Sequence, residues 1–396
     1  MEPDKSLCVL CKGGRMLCGL KSCPILEKMR IQLPMQEKVG TSVFGPSPPG
    51  VFVGRFGYPD VFWGPTVGLE GGPIDEPSQW YGLGFSEIIK YRSSLVRGKK
   101  KQNVREGSRL LEKAQEVVLS VKPVDVEVDF KHKPVYRMSF SPVTQPMGPS
   151  AALNDFRVCE NPAIPKKIDA VVDEKLKAVE AINELTSHGF DVYYLSKLLS
   201  SGVLGKNRRM VPTRWSITAL DDMVARERMR RVRVHPQISE FMVFSNEYLY
   251  NHFEILLMPG AWEFEQFEAW APGTVWSRGA KSTHISEEYE GYGGRTDYAE
   301  SEGGGYYAGR IGVVEALDKM KRQARAVVFR EIYEGYMLPV GVWEVRENVR
   351  HAFNNKGRKF ATLNEALASI STRLRIPMKE YVRRSRILAQ RRISEF

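Results

Sequence analysis

Residues 205–222 read GKNRRMVPTRWSITALDD, with four cations and no anion in the first ten positions, then a tryptophan and an alternating apolar run. Gly205 and Pro212 indicate a loop, and the alternation predicts that this loop enters a strand over residues 215–220. Guanidinium and ammonium groups on such a loop can converge on phosphate oxygens. The alternative is a solvated charge run at a strand end. The four cations are Lys206, Arg208, Arg209 and Arg214.

A second basic run follows at residues 224–234, where five arginines stand against a single glutamate, Glu227. At helical spacing three of these arginines share one face. Such a stripe can follow a phosphate backbone, whose charges recur every few ångströms. The three arginines are Arg226, Arg230 and Arg233. The two basic runs together supply the candidate DNA-binding residues.

Length and composition indicate a folded protein with more than one core. The chain has 396 residues, of which 42% are hydrophobic and 10% aromatic, more than one ordinary core requires. No apolar run reaches the roughly eighteen residues that a membrane span needs, and residues 1–30 lack the apolar centre of a signal sequence. We therefore expect a cytoplasmic protein with no membrane partner.

The charge distribution favours a polyanionic partner. The formal net charge is +11, although a basic chain by itself is also common among proteins that bind no nucleic acid. Residues 371–396 hold eight Lys or Arg against Glu380 and Glu395, which is more than half of the excess. This local excess predicts a basic helical tail at the C terminus.

Four of the five cysteines fall within residues 1–23, in the pattern C-x2-C-x6-C-x4-C. The first pair has knuckle spacing, and nearby glycines let backbone amides turn toward thiolate sulfurs, so a tetrahedral structural zinc is favoured. An iron–sulfur cluster on the same thiolates is the alternative, and disulfides are disfavoured in a reducing cytoplasm. Cys159 stands alone and is predicted to lie in the core. The candidate metal ligands are Cys8, Cys11, Cys18 and Cys23.

Two carboxylates stand out in the strand pattern of residues 241–270. Glu263 and Glu265 share one face of a predicted strand, where they could hold a metal or position a nucleophile. We prefer the alternative of a half-exposed strand with its charges outward.

His252, within an apolar strand, is interpreted as a hydrogen-bonded core residue. Tyr306 and Tyr307 could stack on unpaired bases, but the carboxylates of their loop argue against close phosphate contact.

The last seven residues, QRRISEF, have the spacing Q-x-x-I-x-x-F. This spacing resembles the box by which repair and replication proteins bind the sliding clamp PCNA, with the glutamine in a polar pocket and the apolar pair in a hydrophobic one. Members of that class commonly end in two adjacent aromatics, whereas this chain has one. The candidate PCNA-binding residues are Gln390, Ile393 and Phe396.

Helical and strand patterns alternate without βαβ order, which predicts an α+β fold of mixed sheet and helices, with an N-terminal four-cysteine zinc module and a basic helical C-terminal tail. We divide the chain into four parts. These are a four-cysteine metal-binding module (1–34), an N-terminal α+β region (35–160), a C-terminal α+β region with the basic DNA-binding surface (161–376), and a basic tail with the PCNA motif (377–396).

Five motifs besides the cysteine-rich start and the clamp-binding tail resemble the archaeal NreA family of DNA repair proteins. They are FVGRFGYPDVFWGP, SSLVRG, GKNRRMVPTRWSITALDD, GGYYAGR and PVGVWEVRENVR. The resemblance extends over nearly the whole chain. It implies a role in DNA damage, association with PCNA and DNA, and an archaeal cytoplasmic location at the nucleoid. It supplies no catalytic residues.

Two hypotheses of different class follow. In the first, the protein is a non-enzymatic repair factor that binds DNA and is recruited by the sliding clamp. In the second, it is an enzyme on DNA or nucleotide, either a metal-dependent nuclease or an NAD-using ADP-ribosyl transferase, with Glu263, Glu265 and Arg214 in a cleft. The sequence shows no triad, phosphate loop or metal-ligating histidine cluster, so the first is favoured.

Overall fold

The computed structural model describes residues 11, 15, 17, 23–136, 145–272, 274, 283–336 and 338–389. In this part of the chain, twelve helices accompany two six-stranded sheets, so the predicted α+β class with mixed sheet is confirmed. The chain forms two compact units. The division falls between Val224 and Ala225, inside one helix. The four-part division drawn from composition stays a prediction.

The amino-terminal unit contains the first sheet, in which the strand order is β1-β5-β6-β4-β3-β2 and only the β4–β6 pair is parallel. Its strands are β1 (Ser42–Ser47), β2 (Val51–Val53), β3 (Asp60–Gly68), β4 (Leu95–Asn103), β5 (Val124–Phe130) and β6 (Ser150–Val158). Its helices are α1 (Pro24–Lys38), α2 (Phe85–Ser93), α3 (Arg109–Leu119), α4 (Lys166–Asp173), α5 (Ala178–Ser187), α6 (Val192–Ser201) and the first half of α7 (Thr213–Val232).

The carboxy-terminal unit contains the second sheet, with strand order β10-β9-β11-β8-β7-β12 and one parallel pair, β9–β11. Its strands are β7 (Phe241–Tyr248), β8 (Asn251–Met258), β9 (Glu263–Trp270), β10 (His284–Glu290), β11 (Arg325–Ile332) and β12 (Arg358–Phe360). Its further helices are α8 (Gly304–Met320), α9 (Trp343–Ala352), α10 (Leu363–Ser371), α11 (Met378–Val382) and α12 (Arg386–Ala389).

The central strands β8 and β11 are buried at every position. Phe253, Ile255 and Leu257 of β8 pack in a core with residues of α8 and α9. Leu256 and Met258, on the opposite face of the same strand, pack in a second core with residues of α10, α11 and α12. Helices therefore cover both faces of this sheet, which explains why its central strands are continuous apolar runs.

The predicted strand over residues 215–220 is wrong, because these residues lie in α7. Ser216, Leu220 and Val224, which recur every four residues, are buried. The apparent alternation came from Trp215, which is instead exposed. The helix starts just after Pro212, whose carbonyl accepts hydrogen bonds from the Trp215 and Ser216 N–H groups. A period of four was therefore misinterpreted as a period of two.

Three smaller expectations are also corrected. The sequence pattern predicts a strand over residues 343–346, but these residues begin helix α9. The pattern also predicts Arg97 at a helix end, either contacting phosphate or solvated, but Arg97 lies in β4 and is buried, with its guanidinium 4.9 Å from the Phe52 ring centroid. Cys159, expected in the core, is exposed. By contrast, the apolar spacing of residues 106–120 predicts a helix, and the short apolar runs at residues 51–53 and 61–63, bounded by Gly and Pro turns, predict strands; both are confirmed, as α3 and as β2 and β3.

Candidate functional site

A tight loop at residues 54–59 connects β2 and β3 at the edge of the first sheet. The Gly54 N–H donates to the Phe62 carbonyl at 2.7 Å, which extends the β2–β3 pairing by one position. Gly57 has a φ of 80°, and a Cβ there would lie 2.9 Å from the Asp60 carbonyl oxygen. Only glycine fits this turn without strain. The loop therefore holds Arg55, Phe56 and Tyr58 in a fixed backbone frame.

The cationic loop, residues 205–212, runs from α6 toward α7. Gly202 ends α6 with a φ of 80°, and a Cβ there would lie 2.7 Å from the carbonyl carbon of Arg209. The loop passes so close to the helix end that glycine is required. The Val211 N–H then donates to the Ser200 carbonyl at 3.0 Å. The cationic loop is thus fixed on the end of α6, and its cations project from an ordered backbone.

Hydrogen bonds join the hairpin loop, the end of β4 and the cationic loop into one frame. The Val104 N–H donates to the Pro59 carbonyl at 3.0 Å, and the Met210 N–H donates to the Val104 carbonyl at 3.0 Å. The Val53 N–H donates to the Thr213 hydroxyl, also at 3.0 Å. Residues more than a hundred positions apart in sequence are therefore brought together here. The sequence offered no signal that these segments adjoin.

Three large aromatic side chains stand in solvent around this frame. Phe56 is 80% exposed, Tyr58 47% and Trp215 43%. The Tyr58 and Trp215 rings contact each other with centroids 5.1 Å apart and planes tilted by 54°. The Arg55 guanidinium lies over the Phe56 ring at 5.0 Å. Exposed aromatics grouped in this way usually mark a binding site.

The cations of the first basic run lie on the cationic loop and at the start of α7, on the same frame as the aromatic pair. Lys206, Arg208, Arg209 and Arg214 are all exposed. Arg208 has a positive φ of 42° and donates to the Val172 carbonyl at 3.0 Å. Among the described residues, none of these four cations forms an ion pair with a carboxylate. We call the exposed group on this frame the aromatic-basic surface, defined by Arg55, Phe56, Tyr58, Lys206, Arg208, Arg209, Arg214 and Trp215.

The arginines of the second basic run make contacts with neighbouring residues of the protein. Arg226 donates to the Arg295 carbonyl at 2.8 Å, and Arg230 pairs with Glu227 at 2.7 Å. Arg233 follows the last residue of α7 and lies half-buried, with its guanidinium 5.1 Å from the Tyr292 ring centroid. The intervening Arg228 and Arg231 both bind Asp318. The arginines of the predicted stripe, Arg226, Arg230 and Arg233, therefore already contact other residues of the protein and are less available to bind phosphate.

The GGYYAGR motif contributes to the core. Tyr306 is fully buried and Tyr307 is 5% exposed, with their rings packed edge to face at 5.3 Å. Neither ring is accessible to an unpaired base, so the suggested stacking there is wrong. The motif's Arg310 is also fully buried and pairs with Glu290 at 2.7 Å. Phe56 and Tyr58 of the hairpin loop and Trp215 of α7, by contrast, are among the aromatic side chains that face solvent.

Glu263 and Glu265, the carboxylates of the enzymatic alternative, make structural hydrogen bonds. Glu263 accepts from Arg325 Nε at 2.6 Å and from the Tyr289 hydroxyl at 3.0 Å. Glu265 is fully buried, so the outward-facing interpretation is wrong for it. It accepts from the Ser385 hydroxyl and from the Arg386 N–H at 2.6 Å, at the start of α12. His252, interpreted as a core residue, is buried between Glu247 and Glu254, and this is confirmed.

Glu265 provides a test through pH. Burial raises its pKa to about 7, although the Ser385 and Arg386 hydrogen bonds oppose the shift, and the facing Glu287, which pairs with Arg386, raises it further. Because the folded pKa lies above the ordinary 4.5, the stability that Glu265 contributes is full below pH 4.5 and is lost as pH rises through 7. Glu265→Gln stays neutral and should lose less stability over this range, by about 1.4 kcal/mol or more.

The measurement is urea unfolding of both proteins at pH values on each side of that window. If their unfolding free energies fall in parallel from acid to neutral pH, Glu265 does not titrate as described. The matched control is Glu365→Gln, because Glu365 is exposed and caps α10 by accepting from the Thr362 N–H at 3.2 Å.

A buried ion cluster beneath the amino-terminal end of α8 was not foreseen from sequence. Arg330 of β11 binds Glu268 of β9, Glu344 of α9 and Asn251 of β8, the last at 2.7 Å. Burial raises the pKa of Glu344 to about 7, and Arg330 opposes that shift. The Arg330 guanidinium thus connects strands β8, β9 and β11 to helix α9 through hydrogen bonds and ion pairs, so the role of this cluster is structural. Period and composition give no signal for such a cluster.

Part of the predicted metal and clamp sites lies outside the described residues. Cys11 and Cys23 are described and buried, whereas Cys8 and Cys18 fall outside the described part. The described residues contain no group of three or more His, Cys, Asp or Glu placed to hold a metal. The PCNA motif residues Gln390, Ile393 and Phe396 also fall outside it. Within the described chain, every helix is too short or too polar to span a bilayer.

Comparison with known proteins gives two family matches. A model described as "Archaeal Nre, N-terminal" matches residues 17–277, and one described as "Archaeal Nre, C-terminal" matches residues 290–396. The chain is 39% identical to DNA repair protein NreA of Archaeoglobus fulgidus over 372 residues, which is 93% of each chain.

Two further relatives match over similar lengths. DNA repair protein NreB of Archaeoglobus fulgidus is 37% identical over 98% of this chain and 99% of its own. DNA repair protein NreA of Haloferax volcanii is 35% identical over 95% of this chain and 94% of its own. No solved structure matches the chain.

Proposed function

Because the chain belongs to the archaeal Nre family, we propose that it is a DNA repair factor that binds DNA through the aromatic-basic surface and is recruited by the sliding clamp PCNA. The relatives that it matches over nearly their full length are named DNA repair proteins. Such a factor acts in the cytoplasm, at the nucleoid. Its work at the lesion is to bind and recruit, and it needs no catalytic carboxylate.

One observation carries the DNA-binding proposal. Four exposed cations lie on one loop and the helix that follows it, and none of them is neutralised by a carboxylate among the described residues. A protein that leaves arginines unpaired on a rigid frame offers their guanidinium forks to an external anion. Phosphate is the anion that such forks bind in bidentate geometry. The repeated phosphates of DNA can engage several of them at once.

The α7 helix adds to this field at its amino-terminal end. Its first N–H groups lie beside Arg214, and the helix dipole places partial positive charge at the same end. Anions bind readily at helix starts for both reasons. The Ser216 N–H is not available, since it donates to the Pro212 carbonyl at 2.9 Å. The dipole therefore supports the guanidinium groups rather than forming a separate site.

The experiment that tests DNA binding is a titration of the full chain with a labelled oligonucleotide at several salt concentrations. For each phosphate contact, log affinity should fall with log salt with a slope near 0.9, so four contacts predict a slope of about 3 to 4. Affinity that does not change between about 50 and 200 mM salt would refute the proposal.

For recruitment by PCNA, the support is the placement of the last described residues. Ile387 is buried, and Arg325 Nη2 donates to its carbonyl at 3.0 Å. Together with the Glu265 contacts to Ser385 and Arg386, this fixes α12 on the second sheet. The motif beginning at Gln390 therefore follows directly on an anchored helix. A short peptide ligand held in this way can enter a clamp pocket while the repair factor stays attached.

For the metal, we propose one structural zinc bound by Cys8, Cys11, Cys18 and Cys23. Cys11 and Cys23, the two ligands that the structure describes, are buried, as thiolates around a structural zinc are. We expect one zinc per chain in purified protein by elemental analysis, and its loss in a Cys8→Ser/Cys11→Ser variant. Iron in place of zinc would indicate the cluster, and purified protein without either metal would refute the site.

A further inference from the structure

The exposed aromatic pair on the aromatic-basic surface has no role in a purely electrostatic grip on duplex DNA. Phosphates lie on the outside of a duplex and its bases are stacked within it, so cations alone suffice for a non-specific contact. Tyr58 and Trp215 nevertheless remain 47% and 43% exposed. Exposed apolar side chains that are grouped, as these two rings are, mark a binding site more often than singly exposed ones do. The presence of these rings among unpaired cations calls for a partner that is both anionic and aromatic.

We propose that Tyr58 and Trp215 form a stacking platform for unpaired bases, so that the protein prefers DNA with single-stranded segments over intact duplex. This inference rests on the proposed DNA binding and names its substrate class. Proteins that bind single strands combine a cationic groove for the backbone with aromatic side chains on which bases stack. Both components are present here on adjacent segments of one unit.

The geometry suits a base more than a second protein. The two rings are tilted by 54° and not coplanar, so the pair presents two differently oriented faces at 5.1 Å centroid separation. The segments that carry the rings also carry exposed arginines, Arg55 in the hairpin loop and Arg214 next to Trp215 in sequence. Arg55 lies over the Phe56 ring at 5.0 Å, and such planar guanidinium groups also stack on bases.

The frame beneath the rings supports a preformed platform. Tyr58 precedes Pro59, whose carbonyl accepts from the Val104 N–H at 3.0 Å. Trp215 lies in the first turn of α7, where its N–H donates to the Pro212 carbonyl at 2.8 Å. The Val53 bond to the Thr213 hydroxyl joins the two sides. A ligand would therefore meet rings already positioned, and little ordering cost would reduce its affinity.

Carboxylates near the rings do not oppose this assignment. The carboxylate of the hairpin, Asp60, accepts from the Asn103 side-chain amide at 3.2 Å. The cationic loop and the first turn of α7 contain no acidic residue up to Asp221, which is buried. Apart from Asp60, residues 54–60 and 205–220 carry only positive charges, those of Arg55, Lys206, Arg208, Arg209 and Arg214, and this charge favours the phosphates of a strand whose bases reach the rings.

The test compares a single-stranded oligonucleotide of about 16 nucleotides with a duplex of the same sequence. Trp215→Ala should weaken single-strand binding roughly 5- to 150-fold, because a stacked base contributes about 1 to 3 kcal/mol. Duplex binding should change little. Tyr58→Ala should act in the same direction. Trp215→Phe, which keeps a stacking ring, should retain most of the single-strand affinity and guards against misfolding as the explanation.

Tryptophan fluorescence gives a second measurement. Among the tryptophans in the described part of the chain, only Trp215 belongs to the exposed large side chains, whereas Trp63, Trp80 and Trp262 are fully buried. Stacking of a base on Trp215 should quench the emission of the wild type. The quench should vanish in Trp215→Phe although that variant still binds.

The outcomes separate this inference from the proposed function. If the wild type binds both DNA forms with salt-dependent affinity and Trp215→Ala affects both equally or neither, the platform is refuted and DNA binding stands. If neither form binds with salt dependence, the proposed function fails and the platform fails with it. A selective loss of single-strand binding that Trp215→Phe restores supports the platform.

Discussion

Replacing Arg209 and Arg214 together by Glu is expected to weaken DNA binding on the order of 100-fold at low salt. Each charge-assisted contact with a phosphate is worth about 1.5 kcal/mol or more, and a tenfold change corresponds to about 1.4 kcal/mol. Both side chains are exposed. Their loss should therefore be felt in binding and not in folding. The slope of log affinity against log salt should fall by about two.

The matched control is Lys131→Glu/Lys133→Glu. These lysines are also exposed and belong to the same unit, and the substitution changes the net charge by the same amount. They follow β5, which is separated by β6, β4 and β3 from the sheet edge where β2 lies. If the control weakens binding as much as Arg209→Glu/Arg214→Glu, only net charge matters and no localised surface exists. Melting temperatures of both variants should stay near the wild-type value.

A third variant distinguishes the two basic runs. Arg230→Glu breaks an ion pair with Glu227 within a single turn of α7. Such a pair near the surface contributes little to stability. Because the second run is partly tied up in local contacts, its reversal should cost less affinity than reversal in the first run. An equal loss would place the second run in the DNA contact as well.

The sequence predicted the class of this fold and many of its elements, because apolar period and turn chemistry are local signals. The β2–β3 hairpin is an example, since short apolar runs separated by Gly-Tyr-Pro leave little choice of structure. The prediction of a strand at the start of α7 was wrong for a physical reason. Both a period of two and a period of four can be found in WSITAL, and the choice was made by tertiary packing of Ser216 and Leu220.

The cations of the candidate site were predictable, whereas its aromatic half was not. Lys206, Arg208, Arg209 and Arg214 are adjacent in sequence, so their charge density is visible without a fold. Tyr58 and Trp215 are separated by more than a hundred and fifty residues, and their segments meet through hydrogen bonds of the folded chain, such as the one from the Val53 N–H to the Thr213 hydroxyl. The resemblance motifs contained both residues but carried no information that they touch.

Deleting residues 390–396 is expected to abolish association with PCNA while leaving the melting temperature nearly unchanged. Burying the side chains of Ile393 and Phe396 in the clamp should each contribute roughly 1.5 to 3 kcal/mol before ordering costs. Together they supply about 3 to 6 kcal/mol, far below the roughly 12 kcal/mol of nanomolar binding, so we expect micromolar rather than nanomolar affinity, and the single terminal aromatic points the same way. The measurement is titration calorimetry of the full chain and the truncated chain against PCNA.

The anchored α12 is the reason why truncation should not unfold the protein. Ile387 is buried, Glu265 accepts hydrogen bonds from Ser385 and Arg386, and all of these contacts precede the deletion. A point variant, Phe396→Ala, should remove most of the binding, and Arg391→Ala serves as its control because that position lies between the motif residues Gln390 and Ile393. DNA binding should persist in the truncated chain, since its cations lie elsewhere. Unchanged clamp affinity after truncation, or a large drop in melting temperature, would show that the last seven residues are a structural segment and that recruitment by PCNA uses another surface or does not occur.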